Sequence, residues 1–516
     1  MRLRWPQYPY THAILSGLLV GTSYIPFPPW AIFFCFIPLW LAWFNENSVR
    51  QIFWTGWLTQ FVFTFIGFNW VSYTVYEFGH LPIPVAGLTL LLFCSFANLY
   101  VPLVGVVWFY FSKKLRLGYG AKVLSLAVFM SIGERIFPMI FDWHFGYTWL
   151  WAGFPAFHLA DTFGFIGLSN LGDLFNAALL WGWHRHKEGK KPWPQVALVV
   201  GSFVILNGLG YWHGRNLEIP NQSVRMLIVQ PSISNQDKLA AEAGDAYRDV
   251  VFDRFANLTR QAIQEAGSPD YVVWPETAFP EVIPEPTLKF GYANRLKSLI
   301  TEIGTRLITG GYSVMASNKK YTNSFFILDA KGEWLVPPYH KTILLAFGEY
   351  LPLGEQFPVL YRLLPEVADF GRGPGPTTLL VEKLRVGAQI CYEGLFDWFT
   401  RSLANQGSNI VVNVTNDSWY GTWEQPYQHL YMTLARAIEV RRPLVRATNT
   451  GISGVILANG QIMTLSPLHK EWFHLYDIPY VENPRATLFM GVGYWFLPGL
   501  LALSLIGMIC FGRTKD

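Results

Sequence analysis

The chain has 516 residues, of which 51% are hydrophobic, 17% aromatic and only 14% charged. With a mean hydropathy of +0.24, this balance excludes a string of ordinary soluble domains and describes a polytopic membrane protein. The formal charge of +4 is too small for a nucleic-acid-binding surface, and the Lys and Arg residues sit in short clusters between apolar runs, which is a topology signal.

Crossing about 30 Å of hydrocarbon takes roughly 20 helical residues, and apolar stretches of that order recur from the start of the chain. Spans are expected near Ala13 to Pro28, Pro29 to Phe44, Ile52 to Tyr73, Pro84 to Phe111, Val123 to Ile140, Leu159 to Trp183 and Gln195 to Trp212, with an eighth from Thr487 to Phe511. The first two meet in the proline-rich segment Ile25 to Pro29, so a short re-entrant pair is an alternative there. Met1-Arg2-Leu3-Arg4 before an apolar run resembles a signal peptide, but no small-residue cleavage site follows, and the reading is a retained first helix. Glu134 and Arg135 fall inside a span, where a structural ion pair or interfacial anchor competes with a substrate contact.

Charge alternates between the connecting segments. Arg2 and Arg4, Arg50, the Lys113 to Lys122 cluster, the Arg185 to Lys191 cluster, and Arg513 with Lys515 fall on one side, whereas Thr74 to Ile83 and Phe141 to His158 carry no Lys or Arg. The positive-inside rule then makes both termini cytoplasmic and places the long polar region outside the cytoplasm. The expected organisation is a seven-helix transmembrane domain over 1–220, an extracytoplasmic domain over 221–484, and a final helix with a short tail over 485–516.

Within the polar region short strands alternate with helices. Strands are expected at Val224 to Gln230, Tyr271 to Trp274, Leu307 to Tyr312, Ser324 to Asp329, Val386 to Ile390, Ile410 to Val414, Leu444 to Thr448 and Ile452 to Asn459, and helices at Tyr247 to Ala266, Asp397 to Ala404 and Gln425 to Arg441. That is a layered α/β pattern. Cys35, Cys94 and Cys510 lie in apolar runs, where a thiol is a small packing group, whereas Cys391 stands alone in the polar region and is either an inert core residue or a reactive thiol. The strand Tyr271 to Trp274 delivers Glu276, the strand Val386 to Ile390 delivers Cys391, and Tyr339-His340-Lys341 precedes a Gly-Glu-Tyr-Leu-Pro turn. A thiol accepts an acyl group when a base takes its proton and a positive group meets the tetrahedral intermediate. Glu276 serves as that base only if Lys341 balances its charge against the thiol.

These segments also carry a resemblance. Trp274-Pro275-Glu276-Thr277, Tyr339-His340-Lys341 with Phe347-Gly348-Glu349-Tyr350, and Ile390-Cys391-Tyr392-Glu393 look like the Glu-Lys-Cys signatures of the nitrilase superfamily. The stretches Asn413 to Gly421 and Arg446 to Gly451 extend the match, and with the flanking spans the whole chain resembles the apolipoprotein N-acyltransferase family of bacterial inner membranes. The resemblance implies an αββα nitrilase-like domain attached to a helical membrane domain of about eight spans. It implies a ping-pong reaction in which a phospholipid, typically phosphatidylethanolamine, acylates Cys391 and the diacylglyceryl-cysteine amine of an apolipoprotein takes the acyl chain. It assigns Glu276 as general base, Lys341 to the oxyanion and Cys391 as nucleophile, with Glu349, Tyr392 and Glu393 in support and the Tyr392 N–H as a candidate second oxyanion donor. A monomer is expected, without cofactor, metal or nucleic acid.

Plainer readings stand beside these. His340 and His429 show no metal-ligand spacing and read as structural or surface residues. Arg436, Glu439, Arg441 and Arg442 read as a solvated or interdomain salt-bridged helix face. Trp143, Trp149, Trp151, Trp419 and Trp423 suit an interfacial aromatic belt or a lipid entry site. Two other functions compete with the transferase: a membrane-tethered amidohydrolase in which water resolves the thioester, and an inactive relative that only binds lipoproteins.

Overall fold

The computed structural model describes residues 8–77, 79, 81–234, 245–279, 281–284, 291–315, 319–363 and 367–512. Arg2, Arg4, Arg513 and Lys515, which contribute to the charge alternation, lie outside them. The chain separates into two compact units, Met1–Asn216 with Thr487–Asp516, and Leu217–Ala486.

The first unit is helical: α1 (Pro9–Gly21), α2 (Ile37–Phe44), α3 (Val49–Gly67), α4 (Trp70–Glu77), α5 (Ile83–Phe96), α6 (Tyr100–Lys114), α7 (Tyr119–Ile136), α8 (Tyr147–Trp151), α9 (Ala160–Lys187), α10 (Trp193–Arg215) and, from the chain's other end, the helix Tyr494–Gly512. Among the described residues four stretches are long and apolar enough to cross a membrane: Ile83–Lys114, Pro155–Lys187, Trp193–Arg215 and Phe489–Gly507. Three expected spans take other forms. The expected span Ile52 to Tyr73 is two helices, Val49–Gly67 and Trp70–Glu77, broken at residues 68–69. Between Pro29 and Phe44 only Ile37–Phe44 is helical, with turns before it. The expected span Pro84 to Phe111 is two helices broken at residues 97–99.

The break is stabilised by side chains, because backbone polar groups freed inside an apolar layer need internal partners. Asn98 N donates to Gln60 Oε1 (3.3 Å), its Nδ2 donates to Thr64 Oγ1 (2.9 Å), and its Oδ1 accepts from Trp143 Nε1 (2.7 Å). Trp143 and Trp149 are therefore buried packing groups rather than members of a belt. Glu134 and Arg135 engage other partners than each other: Glu134 Oε1 accepts from Ser169 Oγ (2.9 Å) and lies 3.3 Å from His144, whereas Arg135 donates to Ser131 O (2.9 Å) and Tyr494 O (3.1 Å).

The second unit holds two sheets. The six-stranded one has the order β11-β1-β2-β3-β4-β5 and the five-stranded one β10-β9-β8-β7-β6, built from β1 (Gln222–Gln230), β2 (Tyr271–Val273), β3 (Arg306–Val314), β4 (Tyr321–Leu328), β5 (Tyr339–His340), β6 (Thr378–Val381), β7 (Leu384–Ile390), β8 (Ile410–Thr415), β9 (Leu444–Thr448), β10 (Gly454–Ile456) and β11 (Trp472–Tyr480). β1, β2 and β3 run parallel, as do β7, β8 and β9. The sheets face one another, β1 against β9, β3 against β8 and β4 against β7.

Helices cover the outer faces. Asp245–Ala266 and Gly291–Ile303 bury Phe255, Leu258, Leu296 and Ile300 against Leu227, Val272, Leu307 and Phe326. Asp397–Asn405 and Gln425–Val440 lie against the second sheet. With a helix layer on each outer face, the central strands are buried on both sides, which is why β2 and β8 are apolar runs without strict alternation. The expected polar face on Gln425–Val440 is absent: Arg436 and Glu439 pair at 3.1 Å with both side chains buried, and Arg442 is buried while donating to the carbonyls of Ser408 and Val440.

One glycine fixes how the segment after β2 meets β3. Trp274 N donates to Ile308 O (2.8 Å), Gly310 N to Pro275 O (3.1 Å) and Ala278 N to Gly310 O (3.2 Å). A Cβ on Gly310 would stand 2.6 Å from Glu276 Cα, and the obstructing atom is backbone. Gly310→Ala is expected to destabilise the protein by about 1–3 kcal/mol through overpacking and to displace Glu276, read as a lowered thermal midpoint with loss of activity in the fraction that remains folded.

Candidate active site

The C-terminal ends of parallel strands are where an open α/β sheet presents chemistry, and three functional side chains leave the sheets at such ends or beside them. Glu276 follows β2. Trp274, tilted against Phe255 (4.8 Å between centroids) and donating from Nε1 to Thr259 Oγ1 (3.0 Å), anchors the turn. Glu276 is 5% exposed. Its Oε1 accepts from Asn323 Nδ2 (2.6 Å) and Lys341 Nζ (3.1 Å), and its Oε2 accepts from Asn416 N (2.8 Å).

Lys341 follows β5 and is 1% exposed. Its main chain is tied on both sides, N donating to Asn323 O (2.9 Å) and O accepting from Gly373 N (2.8 Å). Nζ donates to Glu276 and also to Glu349 Oε1 (2.8 Å), and Glu349 Oε2 accepts from Leu345 N (2.8 Å). Burial opposes the ammonium, but Glu276, Glu349 and the Cys391 thiolate favour it, and the balance lifts the Lys341 pKa well above the ordinary lysine value.

Cys391 ends β7 and opens the single 3₁₀ turn Cys391–Leu395. Its φ is +52°, a conformation that costs a non-glycine residue energy and that clusters at functional sites. Glu393 offsets that cost: Oε2 accepts from Ile390 N (2.9 Å), and Oε1 accepts from Tyr339 Oη (2.6 Å), Thr342 N (2.6 Å) and Ile343 N (3.1 Å). One carboxyl thus staples the nucleophile turn to the segment carrying Lys341. Burial pushes it up to about 7 against the pull of these donors. The Tyr392 ring is buried and meets Phe396 edge to face at 4.9 Å.

The thiol itself is 6% exposed. Burial raises its pKa, and the charges of Glu276 and Asp417 raise it further, against Lys341 and the Thr415 hydroxyl. Counting Lys341 with Glu276 and Glu349 leaves one net negative charge beside a thiol whose protonated form burial favours, an arrangement that suits a carboxylate to general-base chemistry.

Glu276, Lys341 and Glu349 are therefore in direct contact, and Cys391 lies within their electrostatic reach. A ring of residues not singled out for chemistry by the sequence surrounds them. Asn323 bridges the two carboxylates, donating also to Glu349 Oε1 (3.1 Å). Asn413 Nδ2 donates to Cys391 O (3.2 Å). Asp417, fully buried, accepts from Arg446 Nη2 (2.7 Å) and pairs with His429 Nδ1 (2.8 Å). His429 is thus buried, and His340 is half-buried against the hydroxyls of Ser313, Thr322 and Ser324. A signal existed for Arg446: it is the one charged residue in the buried strand Leu444–Thr448, and a buried charge demands a partner. No group of three or more His, Cys, Asp or Glu side chains among the described residues has a metal-holding arrangement.

A cysteine at positive φ within electrostatic reach of a paired glutamate and lysine, in a two-sheet α/β domain, fits the carbon-nitrogen hydrolase class, and a family model of that description matches residues 235–471. A second, for the apolipoprotein N-acyltransferase N-terminal domain, matches residues 16–178. The chain is 46% identical over 511 residues to the apolipoprotein N-acyltransferase of Bdellovibrio bacteriovorus, covering 96% of this chain and 93% of that one. It is 30% identical to the enzyme so named in Geobacter metallireducens, covering 91% and 90%. Among solved structures, Nit3 of Saccharomyces cerevisiae, a nitrilase-superfamily member, aligns with a TM-score of 0.39 and 17% identity over 51% of this chain and 92% of its own. The chain belongs to the apolipoprotein N-acyltransferase family.

The charge arrangement makes a pH prediction of definite sign. Alkylation needs the thiolate, so with the thiol pKa raised, the rate of iodoacetamide reaction at Cys391 should still be climbing above pH 9, beyond the usual cysteine range near 8.5. Glu276→Gln removes a charge that raises the pKa and should move that profile to lower pH, while slowing turnover by on the order of 100-fold as the candidate base is lost. A wild-type profile that levels off by pH 8, measured by mass spectrometry of the Cys391 peptide, contradicts this electrostatic account.

Proposed function

We propose that the protein transfers an acyl chain from a membrane phospholipid, typically phosphatidylethanolamine, to the α-amino group of the diacylglyceryl-cysteine at the N-terminus of an apolipoprotein, through a thioester on Cys391. The observation that carries this reading is the Lys341 ammonium shared between Glu276 and Glu349 beside a thiol in a strained turn. Family membership supplies the substrate class.

In the first half-reaction Glu276 accepts the Cys391 proton as sulfur attacks the ester carbonyl. The developing oxyanion is met by Lys341 and the Tyr392 N–H. Collapse breaks the ester C–O bond, and Glu276 returns the proton to the departing alkoxide, leaving a lysophospholipid and an acyl-enzyme. In the second, the amine attacks the thioester, its proton passes to Glu276, and the C–S bond breaks to release the amide and regenerate the thiol. Glu349 holds Lys341 so that its ammonium remains available to both intermediates.

Under this reading the first unit, which includes the C-terminal helix, spans the bacterial inner membrane about eight times, with both termini cytoplasmic and the catalytic domain periplasmic. A chain built to reach lipid substrates needs such an anchor, whereas a soluble amidase does not. The protein works as a monomer without cofactor.

Incubating the purified protein with phospholipid labelled in its acyl chain should give a mass increment on the Cys391 peptide, absent in Cys391→Ala, and adding a diacylated lipopeptide should move the label to its N-terminal amine. Release of free fatty acid alone would assign the amidohydrolase reaction instead. Lysophospholipid formation with no Cys391 adduct would remove the thioester.

A further inference from the structure

The face of the six-stranded sheet opposite the catalytic cluster carries a second group of polar side chains, and the reaction written above does not use it. Side chains alternate along a strand. With Asn323 turned to Glu276 and Glu349, its neighbours Thr322 and Ser324 lie on the other face. Farther along β4 that face sends Phe326 and Leu328 into the helix-covered core. Ser313 stands opposite Thr322 across the β3–β4 pair, and His340 stands opposite Ser324 across the β4–β5 pair. Four side chains thus meet from three adjacent strands.

Their contacts are short and mutual. Ser313 Oγ lies 2.8 Å from Thr322 Oγ1 and 2.7 Å from Ser324 Oγ, and Thr322 Oγ1 lies 2.9 Å from Ser324 Oγ. His340 Nδ1 caps this triangle, 3.1 Å from Ser313, 3.1 Å from Thr322 and 3.0 Å from Ser324. All three hydroxyls are buried, so they need partners within the protein. Three hydroxyls hold three protons, and a triangle with a hydrogen bond on every edge uses all of them. A fourth proton, between the triangle and the imidazole, then comes from Nδ1, which makes His340 the donor.

The hydroxyls can satisfy one another without His340, so the effect of adding the imidazole falls on its own strand. β5 has two residues, lies at the edge of its sheet and pairs with β4 alone, which is short of the usual strand length. Lys341 follows it directly. On the catalytic face Tyr339 Oη is held by Glu393 at 2.6 Å, and His340 is the one side chain that holds β5 from the opposite face. The covering segment is close there too: Gly373 N donates to Lys341 O (2.8 Å), and a Cβ on Gly373 would fall 2.0 Å from His340 O.

We propose that His340, docked through Nδ1 on the Ser313–Thr322–Ser324 hydroxyl triangle, is a positioning residue for Lys341. It fixes the rotation of β5 about its own axis, and with it the direction in which the lysine side chain enters the cluster with Glu276 and Glu349. The role moves no proton and needs no contact with substrate.

The inference rests on the part that the proposed function gives to Lys341, and the experiment separates the two. Acyl-enzyme formation from labelled phosphatidylethanolamine is measured in single turnover for His340→Ala, His340→Asn and His340→Gln, alongside thermal midpoints and the rate of iodoacetamide reaction at Cys391 at pH 9. Asn places a polar atom near the position of Nδ1, whereas Gln places one near Nε2. His340→Ala should slow acylation about tenfold through misplacement of the ammonium, with the phospholipid concentration dependence unchanged. It should also slow alkylation roughly threefold, because a displaced Lys341 favours the thiolate less. His340→Asn should restore both rates, and His340→Gln neither. The proposal is overturned if His340→Ala acylates and alkylates as wild type does, or if the Asn and Gln variants behave alike. Losses that follow the thermal midpoint across the series, and not the position of the polar atom, overturn it as well. The alkylation arm needs no lipid and judges the contact even where wild type forms no acyl adduct; that last result would overturn the proposed function instead.

Discussion

Burying the Lys341 ammonium is the constraint that organises the catalytic domain. Removing a primary ammonium from water costs several kcal/mol unless charge and hydrogen bonds replace the solvent, and at 1% exposure the protein must supply both. One carboxylate would neutralise Lys341 and leave no net charge to favour proton removal from the thiol. Two carboxylates, Glu276 and Glu349, leave an excess negative charge; burial first, and the Glu276 charge after it, raise the Cys391 pKa and favour the thiol over the thiolate. On the proposed function charge separation is then deferred to the moment of reaction, with Lys341 already in place to meet it.

The two-sheet architecture is what makes this cluster affordable in conformational terms. Glu276 arrives from one sheet, Cys391 from the other, and Lys341 from the short edge strand β5, whose partner β4 supplies Asn323. Backbone pairing fixes where each of these residues leaves its sheet. Where pairing does not reach, single residues bridge the segments: Glu393 ties the Cys391 turn to residues 342 and 343, and Asn416 N ties Glu276 to the end of β8. The positive φ of Cys391 is tolerable because Glu393 and Asn413 hold both sides of that residue.

The sequence made some of this readable and concealed the rest for physical reasons. The reactive residues stand where a buried apolar run stops, as in Tyr271-Val272-Val273-Trp274-Pro275-Glu276, and strand ends are conspicuous in any hydrophobicity trace. Asn323 is the opposite case, since it sits in the middle of β4 with buried neighbours and nothing in the spacing reveals that two carboxylates flank it. Strand β11 was hidden too: Trp472–Tyr480 contains His474, Asp477 and Pro479, yet it pairs antiparallel with the whole of β1, because an edge strand needs only one paired side. In the helical unit, hydropathy cannot see the break at residues 97–99, which is held by polar partners on α3 and at Trp143 rather than by any local breaker.

The depth of the nucleophile bears on how a transferase differs from a hydrolase built on the same catalytic groups. Both pass through an acyl-enzyme, and the outcome depends on whether water or an amine reaches the thioester first. Cys391 is 6% exposed and Glu276 5%, and the bonds that Glu276 accepts from Asn323, Lys341 and Asn416 bear equally on a water and on an amine, so burial alone does not separate the two outcomes. An amine needs less activation than water, because it is the stronger nucleophile and gives up its proton after, not before, the C–N bond forms. On the proposed function, the acyl-enzyme goes to the amine because the amine is the stronger nucleophile, and Glu276 need only accept a proton that the C–N bond has already made acidic.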